Sequence, residues 1–209
     1  MTLRLSTRLV NHPFPGDPGA ECELWAEIKL SYEGPDGTTV LLEHQWDLVR
    51  FGEWLVAEGC GFRGIELPES PRQCESLAQA LRRMNDRPDE SFESEGEFDA
   101  WFERIYDFRR SHSIRFALRG AAIPEIIFGI RSGSAEISSV ESGEWKYAFE
   151  LSQMAADLIA VLDTMIESQV VSRWYPGLRD GLVRLRPKLA ALRGPESFGI
   201  TGGCSEHTE

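Results

Sequence analysis

The chain has 209 residues, 42% hydrophobic and 27% charged, and its 34 acidic against 22 basic side chains give a formal net charge of −12. This composition belongs to a globular protein, excludes wholesale disorder and suits one domain with a substantial core. The surplus negative charge repels phosphate, so neither generic nucleic-acid binding nor an anionic membrane surface is expected, whereas a basic protein would be attracted.

The first ten residues alternate apolar Leu3, Leu5 and Leu9 with Arg4, Ser6 and Arg8, which predicts a half-buried strand rather than a signal peptide. A Pro/Gly-rich loop over 12–20 leads to a second strand with Cys22, Leu24, Ala26, Ile28, Leu30 and Tyr32 on one face and Glu23, Glu27 and Lys29 on the other. Gly34-Pro35-Asp36-Gly37 is a turn signal, and 38–43 is the returning strand of a hairpin. Trp25 falls on the polar face, where the Pro13-Phe14-Pro15 loop is expected to cover it.

Asp47 is the predicted N-cap of a helix carrying Leu48, Phe51, Leu55 and Val56, stopped by Gly59 and Gly61. A second helix is predicted with Cys74, Leu77, Leu81 and Met84 on one stripe, and 89–96 is expected to be loose. A third helix presents Phe98, Trp101, Phe102, Ile105 and Phe108 as a broad apolar face that must be covered. Four short antiparallel strands are predicted next, around Ile114–Leu118, Ile126–Ile130, Ala135–Ser139 and Trp145–Leu151. Ser152 is the expected cap of a long helix with Met154, Leu158, Val161, Leu162 and Met165 inward, broken at Trp174-Tyr175-Pro176-Gly177. A last helix over about 176–193 places Leu178, Leu182, Leu185, Leu189 and Leu192 on one side, and 194–209 is expected to be a flexible tail. Strands, helices, strands and helices without βαβ alternation predict an α+β fold. It would be a single domain over 1–193, an antiparallel sheet with helices on one face and a helical insert at about 69–110.

No metal, nucleophile or phosphate-binding motif is present. Cys22, Cys60, Cys74 and Cys204 lack C-x-x-C spacing, and His12, His44, His112 and His207 lack ligand spacing, so no metal or cofactor is expected. The longest apolar stretch, 155–166, contains Asp157 and Asp163, so no membrane span is expected and the location reads as cytoplasmic. His44, in Glu43-His44-Gln45-Trp46-Asp47, is the one candidate base for an enzyme reading, and a strand-end structural role is the commoner use of such a residue. The most informative stretch is acidic: Asp89, Glu90, Glu93, Glu95, Glu97, Asp99, Glu103 and Asp107 are accompanied only by Arg104. Part of it suits the start of a helix, where the dipole favours carboxylates, and the EF-hand spacing is missing. Solvated surface charge is the commonest use of such a run. As a partner surface, Asp89, Glu90, Glu93, Glu95, Glu97, Asp99 and Glu103 would meet a basic protein. Near the other end Arg173, Arg179, Arg184, Arg186, Lys188 and Arg193 outnumber Asp180, which leaves self-association between the two segments open; the oligomeric state is not set.

The order of elements carries one resemblance. Leu24-Trp25-Ala26-Glu27-Ile28, the strand running into Trp46-Asp47-Leu48 and on to Phe51, Trp54 and Leu55, then Ile114-Arg115-Phe116-Ala117-Leu118-Arg119 and Trp145-Lys146-Tyr147-Ala148-Phe149-Glu150-Leu151, resemble small bacterial immunity proteins of the WapI type over about residues 1–168. The insert over 69–110 and the last helix depart from that plan. The resemblance implies a non-catalytic protein that neutralises a cognate toxin domain by stoichiometric docking, and it transfers no individual residue roles.

Overall fold

The computed structural model of the chain describes residues 1–58, 66–131, 134–141 and 143–192. It is an α+β fold with two antiparallel three-stranded sheets. The first sheet runs β1 (Thr2–Leu9), β2 (Trp25–Gly34), β3 (Gly37–Asp47) in that spatial order. Its tight hairpin closes at Gly34 opposite Gly37, where φ of +115° is open to glycine at no steric cost. The expected alternation holds: Leu3, Leu5, Ala26, Ile28, Leu30 and Leu42 are buried on one face. The return strand is longer than its pattern suggests, reaching Asp47, with a register shift at Leu30/Ser31.

Asp47 ends β3 and starts α1 (Leu48–Glu58). Its buried carboxylate accepts the N–H of Val49 at 3.0 Å and of Leu24 at 2.9 Å. Burial pushes its pKa up, against those two bonds. The chain continues through α2 (Leu77–Asn85), α3 (Glu95–His112) and the single turn α4 (Ile114–Ala117). The second sheet follows in the order β4 (Ile126–Arg131), β5 (Ser134–Ser139), β6 (Trp145–Phe149), and then α5 (Leu151–Glu167), α6 (Gln169–Trp174) and α7 (Pro176–Ala191).

Several local expectations change. Ile114–Leu118 is not a strand: Ile114, Ala117 and Leu118 are the buried positions, which is helical spacing, and the Ser113 N–H still bonds to Arg109 O as α3 ends. Cys74 lies outside α2, exposed and at φ +65°, because the capping box of Ser76 and Gln79 starts the helix after it. Glu150, not Ser152, precedes α5, and the long helix already breaks at Ser168, whose hydroxyl accepts the Val170 N–H at 3.2 Å to begin α6. The expected glycine stop at 59 and 61, Cys60, Cys204, His207, Arg193 and the tail lie outside the described residues.

Helices do not keep to one face. The main core joins the inner faces of both sheets to α1, α5 and α7, with Leu55, Ile126, Leu162, Met165 and Leu182 fully enclosed. On the other side of the second sheet Ile127 meets Leu77, Leu81 and Met84 of α2 and Ile105 and Phe108 of α3 in a second cluster. Two polar side chains of β5 make that docking specific. Glu136 accepts the Leu77 N–H at 2.7 Å and Ser138 accepts the Ala78 N–H at 3.1 Å, so the sheet itself caps the start of α2. Edge strand β1 is closed by α5: Asp157 accepts the Leu5 N–H at 2.9 Å and pairs with Arg4 at 3.0 Å. Among the described residues no helix is long and apolar enough to cross a membrane.

Candidate protein-docking surface

The acidic segment is ordered. Residues Asp89–Ser91 make a 3-10 turn after Pro88, and Ser94 caps α3 by accepting the Glu97 N–H at 3.2 Å. Glu97 in turn accepts the Glu93 N–H at 2.8 Å, which folds the entry segment back onto the first helical turn. The side chain that holds this entry is Arg87. Its guanidinium lies 4.0 Å from the centre of the Phe92 ring and 4.5 Å from that of Trp101. It also donates to Ser91 Oγ at 2.8 Å and Ser91 O at 3.0 Å, and pairs with Glu97 at 3.4 Å. Trp101 is anchored from the other side, donating its ring N–H to Met84 O at 3.1 Å.

This clamp holds a cluster of half-buried rings at the surface. Phe92 meets Phe98 at 5.3 Å and Trp101 at 5.9 Å, and Phe98 meets Phe102 at 4.6 Å. Farther along α3, Ile105 and Phe108 are fully buried, so the broad apolar face is covered only in its second half. Carboxylates border the rings. Asp89, Glu90, Glu93, Glu95, Glu97, Asp99 and Glu103 are all exposed, and only Glu97 forms an ion pair among the described residues. Glu95, Asp99 and Glu103 stand on successive turns of one helical face, beside Phe98 and Phe102. Asp107 pairs with Arg110 at 3.5 Å, and Arg104, the cation within the segment, donates to Leu67 O at 3.2 Å.

The basic C-terminal helix does not supply the missing cations. Arg186 binds Asp163 through two contacts of 2.7 and 3.0 Å, Arg179 donates to Ile166 O at 3.3 Å, and Arg173, on the preceding helix α6, lies over Trp174 at 4.9 Å. The leucine stripe of α7 is core: Leu182, Leu185 and Leu189 are buried and Leu178 and Leu192 pack against them.

The histidines and cysteines sit elsewhere. His44 approaches Trp46 at 5.8 Å, and among the described residues no side chain hydrogen-bonds its ring. His12 is engaged at both nitrogens: Nδ1 accepts the Phe14 N–H at 2.9 Å, and Nε2 lies 2.7 Å from Glu23, to which it donates. Glu23 also accepts the Trp25 ring N–H at 2.6 Å, and these bonds hold its pKa below the usual carboxylate range, the Trp25 bond foremost. Trp25 is therefore covered by His12, edge-on at 5.3 Å, and not by Phe14, which is 63% exposed. Among the described residues no three His, Cys, Asp or Glu side chains converge to hold a metal ion.

The acidic residues are visible in the composition, and the rings at 98, 101 and 102 as an apolar face. Arg87 and Phe92 stand out only once the chain is folded, although a cation between a helix end and an aromatic-rich segment is a readable cue. No family model, curated protein or solved structure matches the chain.

Proposed function

We propose that the chain is a non-catalytic protein-binding module whose α3 entry docks onto a basic protein, in the manner of an immunity protein that covers a toxin domain. One observation carries the reading: the Glu95, Asp99 and Glu103 stripe stands unpaired beside the half-buried Phe98 and Phe102. Like charges on successive helical turns oppose folding, and half-buried rings leave part of their apolar surface unused by the core. Together they supply what a docking site uses, an aromatic anchor inside a charged rim. The rim would steer a cationic partner and raise its association rate, and the rings would set the lifetime of the complex. The net charge of −12 favours a protein partner over nucleic acid or an anionic membrane.

Calorimetric titration of the full chain against a panel of purified small basic toxin domains tests the reading. One-to-one binding that weakens steeply with salt and is lost in a Glu95→Lys, Asp99→Lys, Glu103→Lys triple variant is expected. Binding that ignores salt, or survives the triple reversal, refutes it. Exposed Arg184 and Lys188 on α7, without ion pairs among the described residues, favour one second reading, a head-to-tail contact with α3 of another copy. A dimer in sedimentation that dissolves with salt distinguishes it.

A further inference from the structure

Away from the α3 entry, α2, the later part of α3 and the segments flanking β4 and β5 enclose a cleft of about 320 Å³. Its apolar lining comes from Ala78, Leu81, Ile127 and Val140, the first three being part of the second core cluster. Its polar lining is uneven. The two carboxylates, Glu125 and Glu141, are already neutralised. Arg109 Nε donates to Glu125 at 2.8 Å, while Glu141 accepts from Arg115 at 2.7 Å and from the Glu125 N–H at 2.8 Å. The donors are not used up. Arg82 has only a 3.8 Å contact with Asp86, and the Asn85 side chain has no hydrogen-bond partner among the described residues. Arg109 commits its Nε and none of its Nη groups. In a chain of net charge −12, this cleft gathers N–H donors that its own carboxylates do not use up.

We infer that the cleft is a binding site for a small carboxylate. A guanidinium fork and an amide N–H match the paired oxygens of a carboxylate, and the half-buried Val140 is the apolar lining side chain left open for a ligand's carbon atoms to touch. The volume lies at the lower end of ligand sites and is ample for a small carboxylate. The site is independent of the α3 entry, so neither stands or falls with the other.

Phenylacetate is the probe, titrated into the full chain by calorimetry and by amide NMR. Saturable binding in the millimolar range or below is expected, with shifts confined to α2, the Arg109 turn and residues 125–141. Arg82→Ala should weaken it about tenfold and Asn85→Ala by less, with the melting temperature unchanged because Arg82 is 60% exposed. Phenethylamine, of the same shape and opposite charge, should not bind. Absence of saturation, equal binding of phenethylamine or inorganic phosphate, or an affinity unmoved by Arg82→Ala overturns the inference.

Discussion

Neutralising the α3 stripe should make the protein more stable, and Asp99→Asn with Glu103→Gln is the perturbation to use. Glu95 and Asp99, Asp99 and Glu103, and Glu103 and Asp107 are each one helical turn apart, and the two replacements remove all three like-charge pairs. Each such pair costs about 0.2–0.5 kcal/mol, which sums to roughly 1 kcal/mol. Both positions lie beyond the first turn of α3, so little favourable dipole interaction is lost with them. For a chain of this length that gain corresponds to a rise of about 2–4 °C in melting temperature. Circular dichroism melts at low ionic strength should show the rise, and at about 1 M salt, where screening acts within ~3 Å, it should vanish. Partner binding should weaken in the same variant. An unchanged or lower melting temperature at low salt would mean that the carboxylates are already compensated, and the displayed-charge reasoning would fail with it.

Arg87→Ala removes the guanidinium from between Phe92 and Trp101 together with its bonds to Ser91 and Glu97. A loss of about 2 kcal/mol in urea unfolding is expected, and Arg87→Lys should restore only a minor part because a point charge cannot stack on two rings. His112 is buried against Phe108, with Nδ1 at 3.0 Å from Phe108 O, and burial lowers its pKa from 6.5 to about 4. The unfolded chain then binds more protons between those two values, so the contribution is complete above pH 6.5 and falls by about 3 kcal/mol as the pH drops to 4. Urea midpoints across this range should slope less in His112→Gln than in the parent, and equal slopes would contradict the assignment. Gly52→Ala on α1 would drive a methyl into the end of the Met165 side chain, whose Sδ lies 3.1 Å from where that methyl carbon would stand. It should cost about 1–3 kcal/mol in the same assay.

Where neighbours in sequence decide the structure, the chain is readable. The Gly34–Gly37 turn and the alternation before and after it specify a hairpin, and the long periodic stretches of α5 and α7 specify core-facing helices. Ile114–Leu118 is ambiguous, because apolar residues at 114, 116, 117 and 118 satisfy both the strand and the helix period. The choice is made by what stands on either side: Ser113 continues the hydrogen bonding of α3, and Gly120 at φ +98° turns the chain where Trp46 lies close.

The strands of the second sheet are legible at 126–130, 135–139 and 145–151, but its docking to α2 and the two candidate sites are less visible for one shared physical reason. A polar residue in a strand signals solvent when only its own segment is considered, yet Glu136 and Ser138 are buried because the N–H groups of α2, some sixty positions earlier, need acceptors. The same holds for Arg87, which reads as a solvated charge before Pro88 until Phe92 and Trp101 close around it. It holds again for the cleft, whose donors come from α2 and α3 and whose carboxylates come from the ends of β4 and β5. In each case the partner that changes the meaning of a charged side chain is distant in the chain. The acidic stripe of α3 is the opposite case: its meaning survives folding because no distant cation among the described residues arrives to alter it.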